Sequence, residues 1–285
     1  METWRSMDDD CSRVRPDMKR DGVEFDQIAL VYDETRRSPS EEEVRTLREL
    51  LDGCRTVLDA GVGTGRFAVP LRAHRFDVVG VDLSLGMMRR ARTKGFSALV
   101  RADVRRLPFL DRAVDASFMA HVLQLIPDAR GVIYELGRVA RRAVVIQLPE
   151  WSEGLRSDEW GELRERYRAL AAELGYPLAA RGARYRHTLD ELSAIAPPKT
   201  IRVVSRPPLT ASAIEDRFAR WETQAFGRGR VPPEVHAEIV RRLRAEGPLE
   251  SSRWTRPQAV RFVAWDPMEI ERSAERSTPR LDPTP

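Results

Sequence analysis

Residues 57–67 read VLDAGVGTGRF: an apolar run that meets an acid at Asp59 and breaks into glycines at Gly61, Gly63 and Gly65. A chain gives up side chains at alternate positions where its backbone turns sharply or lets a neighbour come close. A dinucleotide-binding turn would need G-x-G-x-x-G, its third glycine allowing the helix to pack on the strand. Counted from Gly61, that third position is Arg66, a long charged side chain. A phosphate-binding P-loop would end in G-K-[ST], and this loop does not.

The segments around the loop supply its context. TVLDAG (56–61), DVVGVD (77–82), SALVRAD (97–103), VDASFMAH (114–121) and RAVVIQLP (142–149) are short, Val-rich apolar runs separated by helix-like or turn-like stretches. Continuous apolar strands alternating with helices predict a parallel sheet buried on both faces. Right-handed crossovers then give an α/β, Rossmann-like, doubly wound domain whose ligands bind at the carboxyl edge of the sheet. At that edge the second strand ends in Asp82 and the third in Asp103. A carboxylate at the second tip can accept both hydroxyl hydrogens of a ribose. Asp103 can accept from the exocyclic amine of an adenine or serve as a turn residue. A glycine turn flanked by acids suits a nucleoside carrying a cationic sulfonium and an amino acid better than it suits a pyrophosphate.

After Pro149 the pattern changes. SDEWGELRERYRALAAELG sets Trp160, Leu163, Tyr167, Leu170 and Leu174 at helical spacing with Gly175 as a stop. TLDELSAIAP reads as a short helix opened by Thr188 and Glu191 in a capping pattern. A strand follows at 200–207, then a helix carrying Ile214, Phe218, Trp221 and Ala225. A further helix carries Val235, Ile239 and Leu243, and a last strand falls at 259–266. The expected organisation is a loose arm at 1–22, a cofactor-binding core at 23–150 and a helical insertion on the acceptor side at 151–199. Strands and helices at 200–266 complete the sheet, and a loose tail follows at 267–285.

Composition narrows the classes. Apolar residues make up 42% and charged residues 32% of 285, as in a globular chain able to bury a core. No apolar run reaches the ~18 residues of a membrane span. The N-terminus has no apolar stretch like that of a signal peptide, so a cytoplasmic protein is expected. The net charge of +4, from 48 basic and 44 acidic residues, gives no reason to expect nucleic acid. Lysine appears only at Lys19, Lys94 and Lys199, so the abundance of arginine is a habit of the whole chain. Cys11 and Cys54 form no motif, and the scattered histidines have no metal-ligand spacing, so no metal is expected.

Taken together, VLDAGVGTGRF, VVGVDLS…MMRRAR and ALVRADVRRLPFLDRAVDASFMAHVLQLIPD resemble the class I S-adenosylmethionine-dependent methyltransferases. The likeness is to the small-molecule group that includes ubiquinone/menaquinone C-methyltransferase-like enzymes, and it covers residues 23–150 in order and spacing. It implies a seven-stranded sheet with a reversed last strand and S-adenosyl-L-methionine as cofactor. By the same resemblance Asp59, Gly61, Gly63 and Gly65 shape the methionine side, Asp82 holds the ribose, and Asp103 with Val104 holds the adenine. FDQIALVYDETRR (25–37) is similar to the segment that lies across the cofactor, Tyr32 closing over the methionine and Arg37 reaching its carboxylate. His121, at the tip of the fourth strand, matches the position beside the transferred methyl.

Simpler roles stand beside these. Phe25, Ile28, Ala29 and Tyr32 also make the stripe of an ordinary amphipathic helix. Asp82 and Ser84 compete to cap the helix after strand two. His121 is either a structural histidine or a general base, so no residue is assigned as catalytic from sequence. The expected partner is a small-molecule methyl acceptor. An RNA or protein acceptor, and a non-catalytic or NAD-binding Rossmann protein, are the alternatives.

Overall fold

The computed structural model describes residues 25–26, 29–30, 32–35, 38–149, 159–178, 185, 187–206, 231–245 and 258–277. The strands are β1 (Thr56–Ala60), β2 (Asp77–Asp82), β3 (Leu99–Arg101), β4 (Val114–Ala120), β5 (Ala140–Pro149), β6 (Thr200–Arg206) and β7 (Gln258–Trp265). They form one seven-stranded sheet in the order β3-β2-β1-β4-β5-β7-β6. The first five strands pair in parallel, and β7 runs antiparallel to both β5 and β6. The expected fold class is therefore the observed one, with a single reversed strand. The third strand is shorter than the 97–103 read from sequence, because its apolar content is limited to Leu99 and Val100.

The helices are α1 (Glu41–Leu50), α2 (Ala68–Ala73), α3 (Leu85–Thr93), α4 (Ala129–Val139), α5 (Glu159–Glu173), α6 (Leu189–Ile195), α7 (Pro233–Ala245) and α8 (Pro267–Ser277). Successive strand residues face opposite sides of the sheet, and here both sides are apolar. Phe118 packs with Leu47, Phe67, Leu71 and Phe262 under α1 and α2. Its neighbour Met119 packs with Val132, Leu136 and Trp265 under α4. Burying a large apolar side chain stabilises by about 1.5–3 kcal/mol, so these two layers dominate the energetics. The Trp265 indole donates to the Ala196 carbonyl at 2.8 Å, tying the end of β7 to the end of α6.

Several local signals operate as read. Thr188 and Glu191 form a capping box at the start of α6, and Gly175 ends α5 in the left-handed region at φ +87°. Helices α5 and α7 enclose a small core of their own, Tyr167, Leu170 and Ala171 against Val231, Ile239, Val240 and Leu243. The Tyr167 hydroxyl lies 2.7 Å from His236 Nδ1. Burial pushes that phenol up to about 12, so it stays protonated. The helix expected around Ile214 and Trp221, and the expected arm at 1–22, lie outside the described residues.

The C-terminal expectation needs correction. Residues 267–277 are not a loose tail but helix α8. Ile270 is buried against α4 at Gly137, and Glu269 pairs with Arg272 and Arg276 along the exposed face. One large apolar anchor among many charges hides such a helix from pattern reading, and its stability comes from the groove that Gly137 leaves open.

A buried ionic network joins α1 to the far edge of the sheet. Ser40 caps α1 in a reciprocal box with Glu43. The Glu43 carboxylate also accepts from Gln147 Nε2 at 2.8 Å and from Arg206 at 2.5 and 3.1 Å. Burial alone would raise the Glu43 pKa, but the bonds from Arg206, Ser40 and Gln147 outweigh it and hold the group below the usual carboxylate range. Arg206→Leu should therefore cost about 3–5 kcal/mol in urea denaturation, because it strands a buried charge. Adding Glu43→Leu should recover much of that loss. The contribution of the pair is complete above the unfolded glutamate value and fades as pH falls through the lowered folded one.

Candidate active site

The loop between β1 and α2 is shaped by what each glycine meets. Gly61, at φ +83°, would drive a Cβ into Val122, which leaves the tip of β4. Its N–H and that of Val62 both donate to the Val81 carbonyl at 2.7 and 2.9 Å, joining the loop to β2. Gly65, at φ +79°, would place a Cβ tightly against Val69 at 3.3 Å and at ordinary distance, 3.6 Å, from Ala91. Gly63 differs: at φ +55°, no atom of the described residues beyond its chain neighbours lies within 4 Å of where its Cβ would stand. Its N–H donates to Asp82 Oδ2 at 2.8 Å. The middle glycine thus presents bare backbone to open space beside a carboxylate.

Asp82 sits at the end of β2 and is half-buried. Ser84, not Asp82, caps α3, accepting from Met87 N at 3.1 Å. Asp82 Oδ1 accepts from Ser84 N at 2.8 Å, which turns the carboxylate back toward the glycine loop. Backbone N–H groups of Gly63, Ser84 and Leu83 serve the carboxylate, whose two oxygens together offer about four acceptor positions, so capacity remains for a ligand hydroxyl. Burial pushes its pKa up, against the pull of the Ser84, Gly63 and Leu83 N–H groups.

Asp59 lies beneath the loop with 3% of its surface exposed. Burial, and then the charge of Asp82, push its carboxyl up to about 7, opposed by the Ala68 N–H at the start of α2. It shapes the loop from below and has almost no surface to offer a ligand directly.

Asp103 is engaged by Arg105: Oδ1 accepts the Arg105 backbone N–H at 2.9 Å, and the guanidinium grips the carboxylate at 2.6–3.0 Å. Val104 is buried in the core layer under α4. The loop carrying both is fixed from α4, where Glu135 accepts from Leu107 N and Arg138 donates to the Leu107 and Phe109 carbonyls.

His121 is half-buried at the tip of β4 and takes φ +60°, a conformation uncommon for a side chain of its size. After the short turn Leu123–Leu125, the insertion reaches this loop from the other side. Tyr185 N donates to Gln124 O, and His187 Nε2 lies 2.8 Å from Ile126 O. The two rings stack with centroids 6.4 Å apart.

Tyr32 opens a single helical turn, Tyr32–Thr35, and meets Phe25 edge-on. Arg37 lies outside the described residues. Sequence reading missed Asp26, Asp33, Thr64 and Lys94, which join this segment to the loop and to α3. Their signal was only an acid at each end of the 25–33 stretch. Among the described residues no cluster of His, Cys, Asp or Glu could hold a metal ion, and no helix is long and apolar enough to cross a membrane.

Comparison with known proteins follows this geometry. A family model described as a methyltransferase domain matches residues 58–146, the stretch from the glycine loop through most of β5. The ubiquinone/menaquinone biosynthesis C-methyltransferase of Syntrophotalea carbinolica is 31% identical over 183 residues, covering 60% of this chain and 77% of that protein. The chain belongs to the class I S-adenosylmethionine-dependent methyltransferases. The malonyl-[acyl-carrier protein] O-methyltransferase of Hamiltonella defensa is 34% identical over 124 residues, covering 43% of this chain and 48% of that protein.

Among solved structures, a phosphoethanolamine N-methyltransferase of Haemonchus contortus, in complex with phosphomonomethylethanolamine and S-adenosylhomocysteine, aligns with TM-score 0.51 at 18% identity. That alignment covers 85% of this chain and 57% of the other. The [4+2]-cyclase SpnF aligns with TM-score 0.53 at 16% identity, covering 87% and 95%. These structural likenesses establish the shared fold and leave the chemistry to the site. The methyltransferase uses S-adenosylmethionine, and the bare face at Gly63 beside the spare lone pairs of Asp82 fits a nucleoside sugar.

The raised Asp59 pKa has a checkable consequence. Between the unfolded aspartate value and about 7 the folded protein binds the extra proton, so this group stabilises the empty fold less as pH rises through that window. A cationic cofactor favours the ionised carboxylate. Calorimetry should therefore show S-adenosylmethionine affinity increasing from about pH 5.5 to 7.5 with proton release, and Asp59→Asn should flatten the slope. A pH-independent affinity in the wild type would contradict this account.

Proposed function

We propose that this methyltransferase moves a methyl group from S-adenosylmethionine to a small-molecule acceptor by in-line displacement. The observation that carries the cofactor half is the open backbone of Gly63 hydrogen-bonded to Asp82. The bound cofactor supplies an electrophilic sulfonium methyl. In this reading Asp82 accepts the ribose hydroxyls, and Gly61, Gly63 and Gly65, backed by Asp59, leave room for the methionine. Asp103 and Val104 border the adenine, with Arg105 sharing the Asp103 carboxylate. Tyr32 and Arg37 close the methionine end.

The protein's task is to hold acceptor and methyl at attack distance and exclude water, which supplies much of the rate. An acceptor bearing a hydroxyl or a carbon acid must also lose a proton. His121, held at the β4 tip, is the candidate base. Tyr185 and His187, seated on the turn that follows His121, offer an aromatic wall on the acceptor side.

The small-molecule assignment draws on the quinone-biosynthesis relative and on the small net charge, which offers little for counterion-driven RNA binding. The acyl-carrier-protein relative keeps a carrier-bound small acceptor within the same class. The cytoplasm is the expected compartment.

Asp82→Ala should lose roughly 100-fold in S-adenosylmethionine affinity, the value of two hydrogen bonds to a charged acceptor, while keeping its unfolding transition. Folded wild-type protein that binds no cofactor in calorimetry would end the proposal. With the acceptor found by transfer of labelled methyl into a metabolite extract, His121→Asn should keep cofactor affinity, since asparagine tolerates the left-handed backbone. Turnover should fall by about 10²–10⁴ if the imidazole takes the proton.

A further inference from the structure

The described residues between Phe25 and Thr35 form a strap fastened at both ends to the cofactor half. At one end Asp26 Oδ1 accepts from Ser84 Oγ and from Gly86 N, each at 2.6 Å. Ser84 is the residue whose own N–H binds Asp82. The strap therefore begins one residue from the ribose acid, and its Asp26 charge is felt there. Gly86, inside helix α3, explains how the strap comes so near. A Cβ on it would stand 3.0 Å from Asp26 Cα and 3.1 Å from Ala29 Cβ, so strap atoms occupy a side chain's place. Ala29 is accordingly buried.

At the other end Asp33 accepts from Thr64 Oγ1 at 2.5 Å and pairs with Lys94 Nζ at 2.7 Å and with Arg90 at 3.5 Å. Lys94 also donates to Thr64 Oγ1 at 3.2 Å. Thr64 is fully buried between Gly63 and Gly65, so this cluster grips the glycine loop at its centre. Burial alone would raise the Asp33 pKa, but the bonds from Lys94 and Thr64 outweigh it and the carboxylate stays ionised at neutral pH.

We propose that Asp33, Lys94 and Thr64 form a latch that holds the strap, seated on Gly86, against the glycine loop, and that this latch sets how long the bound cofactor stays. The inference rests on the cofactor reading above and assigns it positioning residues on the strap side. Release of product S-adenosylhomocysteine requires the strap to lift, which breaks the Asp33 contacts. Lys94, whose ammonium reaches both Asp33 and Thr64, is the hinge pin of that step. The Thr64 hydroxyl links the centre of the glycine loop to the strap.

The test is stopped-flow measurement of S-adenosylhomocysteine association and dissociation, with hydrogen exchange of the 25–35 peptide. Lys94→Met should raise the dissociation rate about tenfold, a typical size for losing a charge-assisted contact. Association should be unchanged or faster, and 25–35 should lose protection. Gly86→Ala is the second variant and separates this role from a structural one. Alanine favours the helix, so α3 gains stability, yet the added methyl unseats the strap, so dissociation should still accelerate. Wild-type release rates in both variants would overturn the latch. A wild type that binds no S-adenosylhomocysteine would overturn the cofactor reading itself and the latch with it.

Discussion

The turn from β1 into α2 exists because Gly61 has no side chain, and Val122 sits where one would be. That contact joins two neighbouring strands at the point where the connections reverse direction across the sheet, β1 leading out to β2 and β4 to β5. It sets the height of the glycine loop and the path of the chain leaving His121 together. A displaced loop would carry Gly63 away from Asp82, and a displaced β4 exit would move the platform on which Tyr185 and His187 rest. The crevice at such a reversal is where open α/β sheets bind ligands, and here a single missing methyl keeps its two walls in register.

Electrostatics then decides what the crevice accepts. Asp59 and Asp82 approach closely enough for the charge of one to raise the pKa of the other, and Asp26 adds a third acid beside them. The empty fold tolerates this by leaving Asp59 about half protonated at neutral pH and by turning backbone N–H groups onto Asp82. A cation entering the crevice relieves the repulsion, whereas a pyrophosphate would add to it. In the proposed reading, the acids that repel one another in the empty site are the ones that favour a sulfonium nucleoside. Arg66 stands where a dinucleotide fold would have its third glycine, which argues against that alternative.

How much of this was readable from residues depended on whether the signal was local. The Val-rich runs gave their strands because both faces of a parallel sheet are dry, and Thr188 with Glu191 gave its helix start because a capping box is complete within four residues. Helix α8 was lost because Ile270 is the one large apolar side chain it buries, and the groove that receives it belongs to Gly137, far away in sequence. Asp33 and Lys94 were unreadable for the same reason. Each is an unremarkable charge until the fold brings them together at Thr64. Asp103, expected at the end of the third strand, lies two residues beyond it, and its partner Arg105 was lost among many arginines.

The two halves of the molecule also differ in how they are bound to the sheet. The glycine loop and the exit of β4 are tied to strand ends by backbone hydrogen bonds and by packing, and the 25–35 strap is tied to them by side-chain bonds. Helices α5 and α7 instead share a small core with each other, closed by the Tyr167–His236 bond. A unit that stabilises itself can change its outer residues without disturbing β1, β2 or β4. The relatives named above share this fold's cofactor half, and their names refer to different acceptors. Because α5 and α7 hold a core of their own, residues there can vary while the geometry at Gly61, Gly63 and Asp82 stays constant.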